Sequence, residues 1–426
     1  MKVFKFGGAS ISTPERVKNL PKILQAYRDE KILIVVSAMG KTTNALEKVA
    51  ESFFSGNKEL ALQLFARVKQ EHLNLLKYTI TQQWEAATRD LNSFFTEVEW
   101  MLHDRPVKDY AYYYDQVVCA GELLSTTLVS HFLREEKIPN RWVDVRDLIR
   151  TDDQFRDAAV DWDVTARQIG EQVPRLFETC NFIITQGFIG STDENESTTL
   201  GREGSDFTAA IFANVLEGED VTIWKDVEGV MNADPKDFPG ARVIGALDYR
   251  EVIEMAYYGA QVIHPKTIKP LQNRDIPLLV KSFVDPSLPG TRISSVIQHD
   301  LPPIIVYKRN QVLITFESRD FSFVEGEPVN DLYRILQEAR IKPNLTQNGA
   351  ISLSVCMDDI PGKLEQVALR AAERFEVQVE KQLTLLTIRH YTGEYLQKLT
   401  SGRTIVMQQK TPVTIQTLMR ESQSIT

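Results

Sequence analysis

Short apolar runs punctuated by polar loops dominate the first two thirds of the chain. Residues 3–6, 31–36, 139–145, 181–185, 221–224 and 277–283 are such runs. Nearly unbroken apolar segments of this length predict strands covered on both faces, as in a parallel sheet. Between them the spacing turns helical. Thr13-Pro14-Glu15-Arg16 has the cap and first-turn proline of a helix start, and Val17, Leu20, Ile23, Leu24 and Tyr27 follow at helical intervals. Residues 45–105 read as mostly helical, and their aromatics, among them Phe53, Phe65, Trp84, Phe95 and Trp100, read as core or subunit contact. Strands alternating with helices predict an α/β domain with a mainly parallel sheet sandwiched by helices.

The pattern changes after Pro302. Strands at 304–307 and 312–316, a helix at 329–339, a strand at 350–356, a helix at 362–375 and a strand at 383–389 follow a ferredoxin-like α+β plan. A brief helix at 392–399 and two strands within 404–419 then look like a second, shortened module. Pro286 and Pro289 with Gly290 mark a boundary. The expected division is a first domain over 1–298 and a second region over 299–426, which suits a length of 426 residues.

Composition narrows the class. Hydrophobic content of 43% with 25% charged residues is that of a soluble globular enzyme. A formal charge of −9 without a basic block argues against a nucleic-acid surface. No apolar run approaches the ~20 residues of a membrane span, and the chain runs from Met1 straight into a strand, so no membrane partner is expected. Cys119, Cys180 and Cys356 are far apart and form no C-x-x-C, which predicts reduced thiols in a cytoplasm and no structural metal.

Two loops carry the candidate chemistry. The first strand, with Lys5 near its end, stops on Gly7-Gly8-Ala9-Ser10. Ligands of open α/β sheets sit at that edge, and glycine N–H groups there can cradle phosphate oxygens. By itself the motif is more often that of a plain turn. The second loop, Gly201-Arg202-Glu203-Gly204-Ser205-Asp206, feeds a helix-like segment and adds an arginine fork suited to a carboxylate. Gly40-Lys41-Thr42 is no P-loop, because position 35 is Val rather than Gly.

Together, Lys5-Phe6-Gly7-Gly8-x-Ser10 and Gly201-Arg202-x-Gly204-Ser205-Asp206 resemble the signatures of the aspartokinase branch of the amino-acid kinase family. The resemblance implies phosphoryl transfer from ATP, with Mg2+ bound through the nucleotide, to the β-carboxylate of L-aspartate. That is the first step toward lysine, threonine and methionine. It makes Lys5 and Asp206 catalytic, and Ser37, Thr43, Glu122, Phe188, Arg202 and Ser205 binders of aspartate. Glu122 would face the substrate's ammonium. Lys5, Phe6, Gly7, Gly8, Lys225, Asp226, Met231, Lys236 and Gln261 would hold ATP. Lys225 stands where the family usually has Thr, and Gln261 where it usually has Lys, so Lys225 or Lys266 is expected to replace the lost cation. His264, before a proline, is expected to be a structural hydrogen-bonder.

In this family the C-terminal region means ACT regulatory modules, a homodimer through them, and an amino-acid effector. Ser318, Asp320, Phe321 and Asn344 are the expected effector contacts. Asp320 replaces a glycine, and Asn344 replaces an acid found in lysine-sensitive members. The chain is too short for an attached dehydrogenase. A sister kinase of the same fold would share the glycine loop without both signatures. An amino-acid-binding regulator with a dead kinase domain would show damage at Lys5 or Asp206, and both are intact.

Overall fold

Residues 1–260 and 263–420 are described by the computed structural model, and they divide into two units. The first holds residues 1–230, 243–253 and 263–298, and the second 231–242, 254–260 and 299–420. Segments 231–242 and 254–260, both upstream of residue 298, thus group with the C-terminal part.

Strands of the first unit are β1 (Lys2–Phe6), β2 (Ile32–Val36), β3 (Arg141–Trp142), β4 (Phe182–Gln186), the hairpin β5 (Ile189–Ser191) and β6 (Ser197–Thr199), β7 (Asp220–Lys225), β8 (Ala246–Asp248), β9 (Leu278–Ser282) and β10 (Thr291–Ser294). Eight of them form one sheet in the order β3-β4-β2-β1-β7-β9-β10-β8. Neighbours from β3 through β9 are parallel, as the apolar runs predict. The run at 277–283 is not the edge strand of the sheet. β10 returns antiparallel to β9, past the Pro/Gly segment, and β8 pairs with it in parallel. Both are too short to show a period. The expected strand at 139–145 shrinks to two residues, because the Asp144 carboxylate accepts from the Arg146 N–H (3.0 Å) and starts a 3-10 turn.

Residues 45–105 resolve into the helices Thr42–Phe54, Lys58–Thr79 and Trp84–His103. Phe53, Phe65 and Phe95 pack into one core with Phe4, Phe6 and Trp224 from the sheet. Trp100 leaves the expected stripe and is 74% exposed.

The second unit contains a six-stranded sheet of β11 (Ile304–Ser318), β12 (Leu345–Asn348), β13 (Ser352–Asp358), β14 (Phe375–Arg389), β15 (Thr404–Lys410) and β16 (Thr414–Arg420), ordered β12-β13-β11-β14-β16-β15. The expected strands at 304–307 and 312–316 are one long strand. Its pairing with β14 shifts register between Lys308 and Gln311, where Asn310 (φ 54°) and Gln382 (φ 61°) take left-handed conformations. Each long strand therefore serves two ferredoxin-like modules. Residues 311–318, the helix Glu327–Glu338, β12, β13, the helix Lys363–Ala371 and the start of β14 make one. Residues 383–389, the helix Gly393–Thr400, β15, β16 and the start of β11 make the other, with one helix.

Candidate active site

Register alone gathers the loops. Phe6, the last residue of β1, pairs with Val36 of β2 and Trp224 of β7, and Val36 pairs with Gln186 of β4. Four parallel strands thus end at one level, and the loops opening on Gly7, Ser37, Gly187 and Lys225 share one edge. Gly8 is required there. A Cβ on it would stand 2.4 Å from the Ala38 carbonyl, and its own carbonyl accepts from the Gly40 N–H at 3.0 Å.

Strand alternation separates Lys5 from Phe4 and Phe6. The two rings enter the core, where Phe6 stacks on Trp224 at 6.1 Å. Phe6 therefore offers a ligand only its backbone. Lys5 emerges on the other face, where its Nζ lies 2.6 Å from Asp206 Oδ1. Asp206 is in the first turn of the helix Gly204–Val215, which favours a negative charge. Burial opposes ionisation of Asp206, but the charges of Lys5 and Lys225 outweigh it and hold the carboxyl below its usual pKa.

A cavity of about 570 Å3 surrounds this pair. Ser37, Thr43, Glu122, Phe188, Arg202, Ser205 and Lys225 line it, so the structure brings together every expected aspartate contact. Thr43 is not a helix cap, since Lys41 holds that position for Thr42–Phe54. Glu122, on the helix Ala120–Glu135, is 2% exposed. Its Oε1 accepts from the Ala38 N–H at 3.1 Å, while its Oε2 is buried without a hydrogen-bond partner. Burial raises its pKa to about 8, against weaker lowering by the Ala38 N–H. An orphaned carboxylate oxygen inside a cavity calls for a cationic donor.

Of the expected nucleotide contacts, Gly7 and Asp226 belong to the first unit, and Asp226 is exposed. Met231 and Lys236 fall in the second unit, where the Lys236 N–H donates to Asp234 Oδ1 at 2.9 Å. Gln261 lies outside the described residues. Lys266 is ion-paired with Asp157, whereas Lys225 faces the cavity. His264 acts structurally: its N–H donates to Glu203 Oε2 at 2.8 Å, and its Nδ1 accepts from the Lys266 N–H at 3.2 Å. The sequence patterns gave no sign of Tyr114 and Arg156, which also stand in the wall.

The expected effector set does not assemble. Asn344 N–H donates to the Cys356 carbonyl at 2.8 Å, and its side chain bridges Lys308, Gln311 and Asp358. Ser318, Asp320 and Phe321 stand at the opposite end of β11. The stretch between residues 311 and 318 separates them by roughly 20 Å at ~3.3 Å per residue. Within one chain, Asp320 cannot supply the charge that Asn344 lacks.

The model of the amino acid kinase family matches residues 1–282, the part of the chain that holds the sheet-edge loops and the buried lysine–aspartate pair. The chain is 32% identical over 360 residues to lysine-sensitive aspartokinase 3 of Escherichia coli, covering 84% of this chain and 78% of that one. It is 33% identical over 295 residues to a bifunctional aspartokinase/homoserine dehydrogenase of Zea mays, covering 68% of this chain but 32% of that longer protein. In three dimensions it is similar to E. coli aspartokinase III in complex with aspartate and ADP, with a TM-score of 0.81, 27% identity, and 99% and 96% of the two chains covered. The chain belongs to the aspartokinases of the amino acid kinase family.

Proposed function

We propose that the protein transfers the γ-phosphoryl group of ATP to the β-carboxylate of L-aspartate, giving 4-phospho-L-aspartate, with Mg2+ arriving on the nucleotide. The observation that carries this reading is the single cavity in which the Lys5–Asp206 pair faces Arg202 and the orphaned oxygen of Glu122. Glu122 receives the substrate ammonium, and Arg202 pairs with a carboxylate through its planar fork. Lys5 and Lys225 oppose the charge on the moving phosphoryl group, the glycine-loop N–H groups orient it, and Asp206 holds Lys5 in place. The acceptor carboxylate has no proton to lose, so the site needs no general base.

The second unit is read as the regulatory part, binding a small amino acid and joining two copies into a homodimer. The reduced thiols fit a cytoplasmic enzyme; Cys119, Cys180 and Cys356 are free. Among the described residues no helix is long and apolar enough to cross a membrane. The test is a coupled assay for ADP release and acyl-phosphate formation over a panel of amino acids. Turnover with glutamate or UMP in place of aspartate would overturn the assignment.

A further inference from the structure

Three side-chain-bearing residues in the cavity wall adopt left-handed backbone conformations: Arg156 (φ 76°), Phe188 (φ 70°) and Glu203 (φ 54°). Such conformations persist where the surroundings enforce them, and they concentrate at functional sites. Phe188 and Glu203 already have roles in the loops described. Arg156 has none, yet the structure invests most in holding it. The buried Asp115 carboxylate accepts from the Arg156 N–H at 3.0 Å, and also from the Thr199 N–H (2.8 Å) and hydroxyl (2.8 Å). One acid thus pins the Arg156 backbone to β6, immediately before the Gly201–Asp206 loop. The guanidinium carbon lies 4.5 Å from the ring centre of Tyr114 and 5.5 Å from that of Tyr110. Stacking occupies the flat faces of a guanidinium and leaves its N–H edge for a planar anion. Tyr114 also lines the cavity.

We propose that Arg156 is a specificity-determining residue of this site, binding the α-carboxylate of the amino-acid substrate alongside Arg202. The inference rests on the aspartate-kinase reading and deepens it. Aspartate brings two carboxylates, of which one is phosphorylated. A second arginine on the other recognises the acid that is left over and aims the β-carboxylate at the phosphoryl donor. The Asp115 anchor fixes the Arg156 backbone and the two tyrosine rings hold its exposed guanidinium before substrate arrives, which lowers the ordering cost of binding.

Steady-state kinetics of Arg156→Gly and Arg156→Lys, with aspartate and with its α-amide, test the proposal. Glycine suits a φ of 76°, so Arg156→Gly is expected to melt no lower than the wild type. Its KM for aspartate should rise about tenfold or more while that for ATP moves less than about twofold, as expected for one lost charge-assisted bond. The preference for aspartate over the α-amide should shrink by the same factor, and Arg156→Lys should fall between. An unchanged aspartate KM, a rise in the ATP KM instead, or an undiminished preference against the α-amide would each overturn the role of Arg156. If Arg156→Gly does not fold, the lysine variant decides by the same ratios. A wild type that ignores aspartate altogether removes the functional reading and this inference with it; a wild type that uses aspartate separates the two.

Discussion

At the scale of single residues, charge placement decides the site. The Lys5–Asp206 pair is 11% and 4% exposed at its side chains, so little solvent screens it. Lys5→Ala should leave a folded protein with kcat reduced by a factor of 100 or more, since one removed electrostatic donor costs roughly 3 kcal/mol or more of transition-state stabilisation. Near-normal turnover in that variant would refute the mechanism. Glu122 gives a prediction with a sign. Burial lifts its pKa to about 8, so the ligand-free carboxyl is largely protonated at pH 7. An arriving ammonium favours the carboxylate, and binding of aspartate should release close to one proton near neutrality. Calorimetry in buffers of different ionisation enthalpy measures this release, and Glu122→Gln should abolish it. The same shift makes Glu122 stabilise the free protein most below the unfolded carboxyl pKa of about 4.5. That contribution falls as pH rises through about 8. These residues were legible because the two glycine-rich loops carry the family signatures, and Glu122 only through that resemblance. Arg156 was not, since nothing in Phe155-Arg156-Asp157 signals a left-handed backbone.

At the scale of elements, the central strands were legible because burial on both faces makes their sequences uniformly apolar. β8, β10 and β12, of three or four residues, were not, since such stretches hold too little of a period to detect. The join within β11 was hidden by Lys308-Arg309-Asn310, polar residues at the register shift that read as a loop. The site itself depends on element ends, and Gly8→Ala tests this. The added methyl would collide with the Ala38 carbonyl at 2.4 Å and prise the β1 and β2 loops apart. The expected outcome is roughly 1–3 kcal/mol of destabilisation, read by denaturant melts, with a greater loss of kcat than of stability. A variant that keeps full turnover would show that the two loops need not be held together for phosphoryl transfer.

At the scale of the whole molecule, charge decides which amino acid the proposed regulatory unit would admit. The change from a parallel-sheet unit to an α+β unit was visible in the pattern after Pro302, and its regulatory meaning came from the family resemblance. The sharing of β11 and β14 between two modules was not, because it depends on pairings far apart in sequence. That sharing places Asn344 among cations. Its Oδ1 accepts from Lys308 Nζ at 2.7 Å, and Lys342 Nζ lies 4.3 Å over the Tyr257 ring. A cavity of about 420 Å3 adjoins them, lined by Tyr257, Tyr258, Tyr333, Lys342 and Asn344. Asp358, the nearby acid, already accepts from Asn344 and Gln311. A lysine side chain entering here would meet Lys342 and, among the residues lining the cavity, no carboxylate, forgoing a charge-assisted bond of ~1.5–3 kcal/mol. Lysine should therefore inhibit the full-length enzyme at least about tenfold more weakly than an effector with a neutral side chain. Titration of the intact protein with lysine, threonine and methionine, followed by calorimetry and by activity, measures the order. Asn344→Asp supplies the missing charge and should strengthen lysine binding selectively. Tight lysine binding to the wild type that Asn344→Asp leaves unmoved would show that the effector is read elsewhere in the unit.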